Sequence, residues 1–232
     1  MALPLSLVVF AYNEAENVPR VLPEILGWLR GCGAPYELVF VDDGSTDGTR
    51  AAAAEVLSGD ASAKLVSHER NRGIGAALKT GTAAATLPWL SFLPCDGQIA
   101  PTDIGRLCDA AERERVRLVL SVYRDRDDGL HRTILSAGVR GLIWSLFGVV
   151  LRSDGPYLYA RELFHPEDLP SDTFFLNFEF PLRMLRAREP HATVTIECLP
   201  RRAGSSKSTQ WKRIAGVARD LFDLRIRMLR GH

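Results

Sequence analysis

The chain has 232 residues, 46% apolar and 25% charged, which is enough for one α/β domain with a full core and is the balance of a soluble globular protein. A formal net charge of +1 argues against a protein whose main work is coating nucleic acid, since that work needs a basic excess. Cys32, Cys95, Cys108 and Cys198 are dispersed with no CxxC pair, which speaks against a zinc site and for a reduced, cytoplasmic compartment.

In chain order, Leu5–Ala11 reads as a buried strand, with no basic segment or cleavage signature before it to suggest a signal peptide. Ala15–Leu29 reads as a helix with Asn13 as its cap, and Glu37–Val41 as a strand. An Asp-Gly-Ser-Thr-Asp-Gly turn leads into an Ala-rich helix from Thr49. Lys64–Ser67 and Trp89–Leu93 read as strands around a helix at Gly75–Thr86. A helix at Pro101–Arg113 and a strand at Arg117–Val122 follow. Repeated strand–helix units predict a mostly parallel sheet, helices on both faces and ligands at the carboxyl ends of the strands.

The later part has a different pattern. Thr133–Leu151 predicts a helix with a wide apolar stripe, too short and too interrupted by Arg140 to span a bilayer, which needs about 20 residues. It reads either as a core helix or as a helix lying on a membrane with Arg132, Arg140 and Arg152 reaching head groups. A helix at Phe174–Ala187 and a strand at Thr193–Leu199 come next. Then follow a basic loop, Arg201–Lys207, and a basic amphipathic helix, whose cations face solvent or anionic lipid.

The first strand ends in Tyr12-Asn13-Glu14, the second in Asp42-Asp43-Gly44-Ser45 and the fourth in Asp96-Gly97-Gln98. A doubly wound sheet brings such ends to one crevice. Acids there can hydrogen-bond a nucleoside and ligate a divalent cation, and Mg²⁺ is typically held by one or two carboxylates plus substrate phosphates. Gly73-Ile74-Gly75 does not complete a dinucleotide fingerprint, because Leu78 stands at the third glycine position. The five histidines, His68 among them, show no ligand spacing and read as surface or packing residues.

The segments Ala11–Asn17, Val41–Thr49, Asn71–Ala77, Asp96–Gln98, Tyr123–Asp127 and Arg201–Lys207 together resemble glycosyltransferase family 2. The likeness is to its dolichol-phosphate mannosyltransferase and polyprenyl-phosphate glycosyltransferase branch. It implies a single domain with a GT-A (Rossmann-like) fold, in which residues 1–122 bind the nucleotide sugar and 123–232 form the acceptor side. Tyr12 and Glu14 would contact base and ribose, and Asp42 and Asp43 would border the nucleoside pocket. Asp96 and Gln98 would hold Mg²⁺ or Mn²⁺. Arg124, Arg132, Arg201 and Lys207 would surround donor and acceptor phosphates, with Ser136 one turn beyond Arg132 on the same side. Pro94 departs from the family's metal motif, which places an Asp there, so the site has one acid fewer.

The implied reaction is inverting transfer from a donor of GDP-mannose or UDP-glucose type. Its acceptor is a polyprenyl phosphate, with peripheral membrane contact at the inner face, or a small-molecule hydroxyl. A lipid phosphate is already anionic, whereas a hydroxyl needs a base, for which Glu179 is the candidate against its reading as an exposed helix acid. Non-catalytic nucleotide-sugar binding is the alternative outside enzyme chemistry.

Overall fold

Six of the seven residues of β1 (Leu5–Ala11) are buried, because this strand lies inside the sheet with helices on both faces, where an unbroken apolar run is the stable pattern. The computed structural model describes residues 3–124, 138, 140–153, 155–200 and 219–227. After β1 come α1 (Val18–Gly31), β2 (Tyr36–Asp42), α2 (Thr49–Leu57), β3 (Ala63–Ser67), α3 (Ile74–Ala84), β4 (Trp89–Pro94), α4 (Pro101–Glu114) and β5 (Leu118–Tyr123). A helical stretch at 140–147, α5, follows. Next are β6 (Leu158–Ala160), α6 (Leu176–Arg186) and β7 (His191–Ile196), and 219–227 ends in helix α7.

One seven-stranded sheet runs in the order β3-β2-β1-β4-β6-β5-β7. β1, β2, β3 and β4 are parallel, and β7 is parallel to β5. Alternate side chains of β1 divide between two cores. Leu5, Leu7 and Val9 pack with Leu22, Ile25 and Leu107, while Val8 packs with Ala77, Leu78 and Phe180 on the other face.

The unforeseen element is β6. It is antiparallel to both β4 and β5 and separates them. Three residues carry too little periodicity to read, and aromatic packing holds them. Tyr159 lies 5.1 Å from Phe180, its neighbour Tyr157 stacks on Phe180 at 5.3 Å, and the Tyr159 hydroxyl meets Thr82 Oγ1 at 2.9 Å.

Several helix boundaries shift by a few residues from expectation, and two of the shifts have a clear local cause. α1 starts at Val18 with Asn17 in the cap position, not Asn13. Asn13 instead has φ of +55°, a left-handed turn conformation that Asn tolerates. α5 stops short of Leu151 because Gly148, at φ +70°, turns the chain and its N–H caps the Trp144 carbonyl. Ile143, Phe147 and Leu151 face a third core with Phe175, Leu182, Leu221 and Leu224. Trp144 and Val150 face outward, 62% and 59% exposed. The described part of the helix is therefore a core helix with an exposed apolar flank.

At the opposite edge from the strand ends discussed below, Glu37 is buried. Its carboxylate accepts from Ser6 Oγ and the Thr86 N–H, each at 2.7 Å, and pairs with Lys64. Burial pushes its carboxyl up, but Lys64, Ser6 and Thr86 outweigh this and hold it below the usual 4.5. A depressed folded value stabilises the fold above the unfolded value and loses that contribution as pH falls through the folded one. Glu37→Gln is expected to cost about 1–3 kcal/mol at pH 7. It should also flatten the acid limb of the stability curve below pH 4.5, measured by urea denaturation across pH.

Candidate active site

The strand ends are level. Ala11 pairs with Asp42, Asp42 with Ser67, and Phe10 with Pro94. The ladder runs one residue further, with Asp43 N donating to Ala11 O, His68 N to Asp42 O and Cys95 N to Phe10 O. Chain order reverses between β1 and β4, so the crevice of this sheet opens between Tyr12–Glu14 on one side and Asp96–Gln98 on the other.

The loop after β1 is laced to the loop after β2. Asn13 N donates to Ser45 Oγ at 2.9 Å, and Asn13 Oδ1 accepts from Thr46 N at 2.8 Å. Glu14 N donates to Thr49 Oγ1 at 2.8 Å, and Ala15 N to Asp47 Oδ2 at 3.3 Å. Glu14 Oε2 accepts from Asn17 Nδ2 at 2.6 Å, and Asp42 Oδ1 from Ser45 N at 3.2 Å. Tyr12 is half-buried at the start of this lattice. Asn13 reads from the sequence as a helix cap, Thr49 as a helix start and Ser45 and Asp47 as turn residues; in the fold all four hold the two loops together.

The last residue of β2, Asp42, and its neighbour Asp43 diverge. Asp43 turns toward the loop after β3. Its Oδ1 accepts from Arg72 N and its Oδ2 from Gly73 N, at 2.9 and 2.8 Å, and Oδ1 also meets His68 Nδ1. Gly44 supports the same loop at φ +69°, where a Cβ would lie 2.2 Å from the Arg70 carbonyl carbon.

On the β4 side, Asp96 Oδ1 accepts from Gln98 N at 3.1 Å, fixing the turn. Gln98 O accepts from Leu199 N at 2.8 Å, and Gln98 Nε2 lies 3.4 Å from Leu199 O. The chain leaving β7 is thus strapped to this turn. Arg124 N donates to Ile196 O at 2.8 Å, and the Arg124 guanidinium lies 3.6 Å from Glu197. β5 and β7 therefore carry Arg124 to the same edge of the sheet. Arg132, Ser136, Arg201 and Lys207 lie outside the described residues.

Among the described residues, no three His, Cys, Asp or Glu side chains group to hold a metal unaided. The donor set nonetheless fits a hard cation that brings its own phosphate ligands. Asp96 offers a carboxylate, and with the amide nitrogen of Gln98 turned to Leu199 O, its amide oxygen is available to a cation.

Glu179 is fully buried, not an exposed helix acid. Its carboxylate accepts from Ser171 N at 3.3 Å and from Arg183 at 3.2 Å. Burial pushes its carboxyl up, and Arg183 opposes this.

A profile of glycosyl transferase family 2 matches residues 6–181, spanning all of these elements through the middle of α6. The chain belongs to this family. The family 2 domain is 32% identical to the dodecaprenyl-phosphate galacturonate synthase of Rhizobium johnstonii over 156 residues, 66% of this chain and 46% of that protein. Its similarity to the dolichyl-phosphate beta-glucosyltransferase of Drosophila melanogaster is 29% identity across 99% of this chain and 77% of that one. Among solved structures, it resembles glucosyl-3-phosphoglycerate synthase from Mycobacterium tuberculosis in complex with Mn²⁺, uridine diphosphate and phosphoglyceric acid. The TM-score there is 0.71, with 25% identity over 94% of this chain and 76% of the other. The chain spans about half the length of the first curated relatives it matches. The family 2 domain has the GT-A fold, a mostly parallel sheet with helices on both faces.

Proposed function

We propose that this family 2 domain transfers a sugar from a nucleoside-diphosphate sugar to a polyprenyl phosphate, assisted by Mg²⁺ or Mn²⁺. The observation that carries the reading is the placement of Asp96 and Gln98 across the switch-point crevice from Tyr12 and Glu14, level with Asp42. The names of the relatives, a dodecaprenyl-phosphate and a dolichyl-phosphate transferase, supply the acceptor class.

In this reading Tyr12 and Asp42 bind the base, and Glu14 faces the ribose. The Asp96 carboxylate and Gln98 amide oxygen would hold the cation, which would supply positive charge against the departing diphosphate. Arg124, with Arg132, Ser136, Arg201 and Lys207, binds and orients the phosphates of donor and acceptor. Cleavage of the sugar–phosphate bond builds negative charge, and fixed cations stabilise it without reorganisation. Binding both substrates in line contributes up to about 7–11 kcal/mol of proximity. The acceptor phosphate attacks as an anion, so no side chain has to take a proton, and the burial of Glu179 in an ion pair accords with that.

A second acceptor reading, a small-molecule hydroxyl, is favoured by Pro94 at the place of an acid. The structural likeness to a protein crystallised with phosphoglyceric acid favours it too.

No helix among the described residues is long and apolar enough to cross a membrane. Trp144, Val150, Phe222 and Ile226 are exposed on α5, on α7 and just after α5, near Arg140, Arg152, Arg219 and Arg225 in sequence. That combination suits peripheral contact with anionic lipid.

The test is a panel of GDP- and UDP-sugars titrated with and without Mn²⁺, followed by product mass with a short-chain polyprenyl phosphate. One nucleotide sugar is expected to bind at least about tenfold tighter with Mn²⁺, because one carboxylate needs the diphosphate to complete the coordination shell. Lipid-linked product above a detergent blank supports the first acceptor. Product on a soluble hydroxyl alone supports the second, and binding without any turnover leaves a nucleotide-sugar-binding protein.

A further inference from the structure

His68 has no part in the reading above, yet it is among the most enclosed polar side chains at this edge of the sheet. Its side chain is 6% exposed and that of Asp43 is 7% exposed. His68 Nδ1 lies 2.7 Å from Asp43 Oδ1, and Nε2 lies 2.9 Å from Thr80 Oγ1 on α3. With the Arg72 and Gly73 N–H groups on the same carboxylate, a closed ring joins the end of β2, the end of β3, the following loop and α3.

The chemistry fixes the direction of these bonds. An ionised carboxylate only accepts, so Nδ1 carries a proton and donates to Asp43. Nε2 then accepts from the Thr80 hydroxyl when the ring is neutral and donates to it when the ring is charged. A hydroxyl does either. The imidazole is therefore satisfied in both charge states and holds one orientation.

The loop this ring fixes does little for the cores. Glu69, Arg70, Asn71 and Arg72 are all exposed, and none of the residues 69–73 belongs to an apolar core. Ordering an exposed loop costs conformational entropy, and no apolar burial there offsets it. The loop stands beside Asp42 at the open end of the sheet, so its order is of use where a ligand binds.

We propose that His68 is a positioning residue for the donor nucleotide. It locks the carboxylate of Asp43 onto the loop after β3, so that residues 70–73 form a fixed wall of the nucleoside pocket. The inference rests on the nucleotide-sugar reading. It adds that the pocket's shape depends on a histidine that touches no ligand.

Calorimetric titration of UDP and GDP in Mn²⁺ buffer, on the full chain and well below the thermal midpoint of each variant, tests this. His68→Ala is expected to weaken binding of the preferred nucleotide about tenfold or more, the effect of losing a hydrogen bond to a buried charge. His68→Asn, whose amide nitrogen can take the place of Nδ1, is expected to recover affinity to within about threefold. Thr80→Val removes the outer partner alone and is expected to give an intermediate loss; it carries the test should alanine at 68 fail to fold. Equal affinity in wild type and His68→Ala overturns the proposal, as does a loss that His68→Asn does not reverse, since that would make the ring mere packing. A wild-type chain that binds neither nucleotide overturns the nucleotide reading itself, and with it this one.

Discussion

Asp96→Ala is expected to lower sugar transfer by about 10²–10³-fold, the effect of removing one fixed group that stabilises developing negative charge. Asp96 is half-buried at a turn, outside the apolar cores, and one of its bonds is to the N–H of Gln98 two residues on. Losing the bond to a charged acceptor at this turn should cost about 1–2 kcal/mol, or about 2–8 °C in Tm for a domain of this size, well short of unfolding it. A large kinetic loss with modest thermal change is thus the signature of a ligand and not of a structural acid. Asp96→Asn separates the two parts of the effect. The amide keeps an oxygen for the Gln98 N–H but carries no charge, so its thermal midpoint should match wild type while its rate stays near that of the alanine variant. Initial rates at saturating donor over a Mn²⁺ series measure this, and a partial recovery at high Mn²⁺ is expected. Transfer by Asp96→Ala within twofold of wild type would remove Asp96 from the site.

On the proposed reading, a single acid would suffice for the cation. Pro94 ends β4 in register with Phe10 and has no ionisable group to offer, so the carboxylate that the family motif places there is missing. A cation bound by one carboxylate and one amide oxygen lacks most of its ligands until the diphosphate arrives. On the proposed reading, metal and donor would bind as a unit, and metal affinity measured without nucleotide is expected to be weak.

Much of this was legible in the residues. The strand ends at Tyr12–Glu14, Asp42–Asp43 and Asp96–Gln98 were readable because apolar runs stop abruptly at polar, turn-forming residues, and the register then set those ends level. The seam with β6 was not readable. Its three residues are held by Tyr157, Tyr159 and Phe180, a contact between segments about twenty residues apart that leaves no local period. The different surroundings of Asp42 and Asp43 were also hidden. Adjacent aspartates look alike in a sequence, and only the direction of the Asp43 side chain, toward His68 and the N–H groups of Arg72 and Gly73, tells them apart. His68 was passed over for the same reason, since a single histidine after a strand has no pattern to betray its partner 25 residues earlier. Of the two readings of Glu179, a base or an exposed helix acid, the second fails because Ser171 and Arg183 close over the side chain, a contact that sequence alone does not show.

Gly44→Ala is the variant expected to do most damage to the fold at this site. At φ +69° any side chain adds strain of about 1–2 kcal/mol. A Cβ there would also lie 2.2 Å from the carbonyl carbon of Arg70, 2.5 Å from its Cα and 2.6 Å from Asn71 N. All three are backbone atoms, which cannot swing aside as a side-chain tip can, so the loop has to move or the strand end has to. Overpacking of this kind adds about 1–3 kcal/mol. Against a typical total stability of about 5–15 kcal/mol, the combined cost of about 2–5 kcal/mol lowers Tm by about 5–20 °C. The loop that must move is the one Asp43 holds by the N–H groups of Arg72 and Gly73, so nucleotide affinity should fall further than at His68→Ala. Scanning calorimetry and nucleotide titration on the same preparation check both halves. A variant with unchanged Tm and unchanged affinity would mean that the loop after β3 does not rest on Gly44, and the wall it is proposed to form would have no foundation.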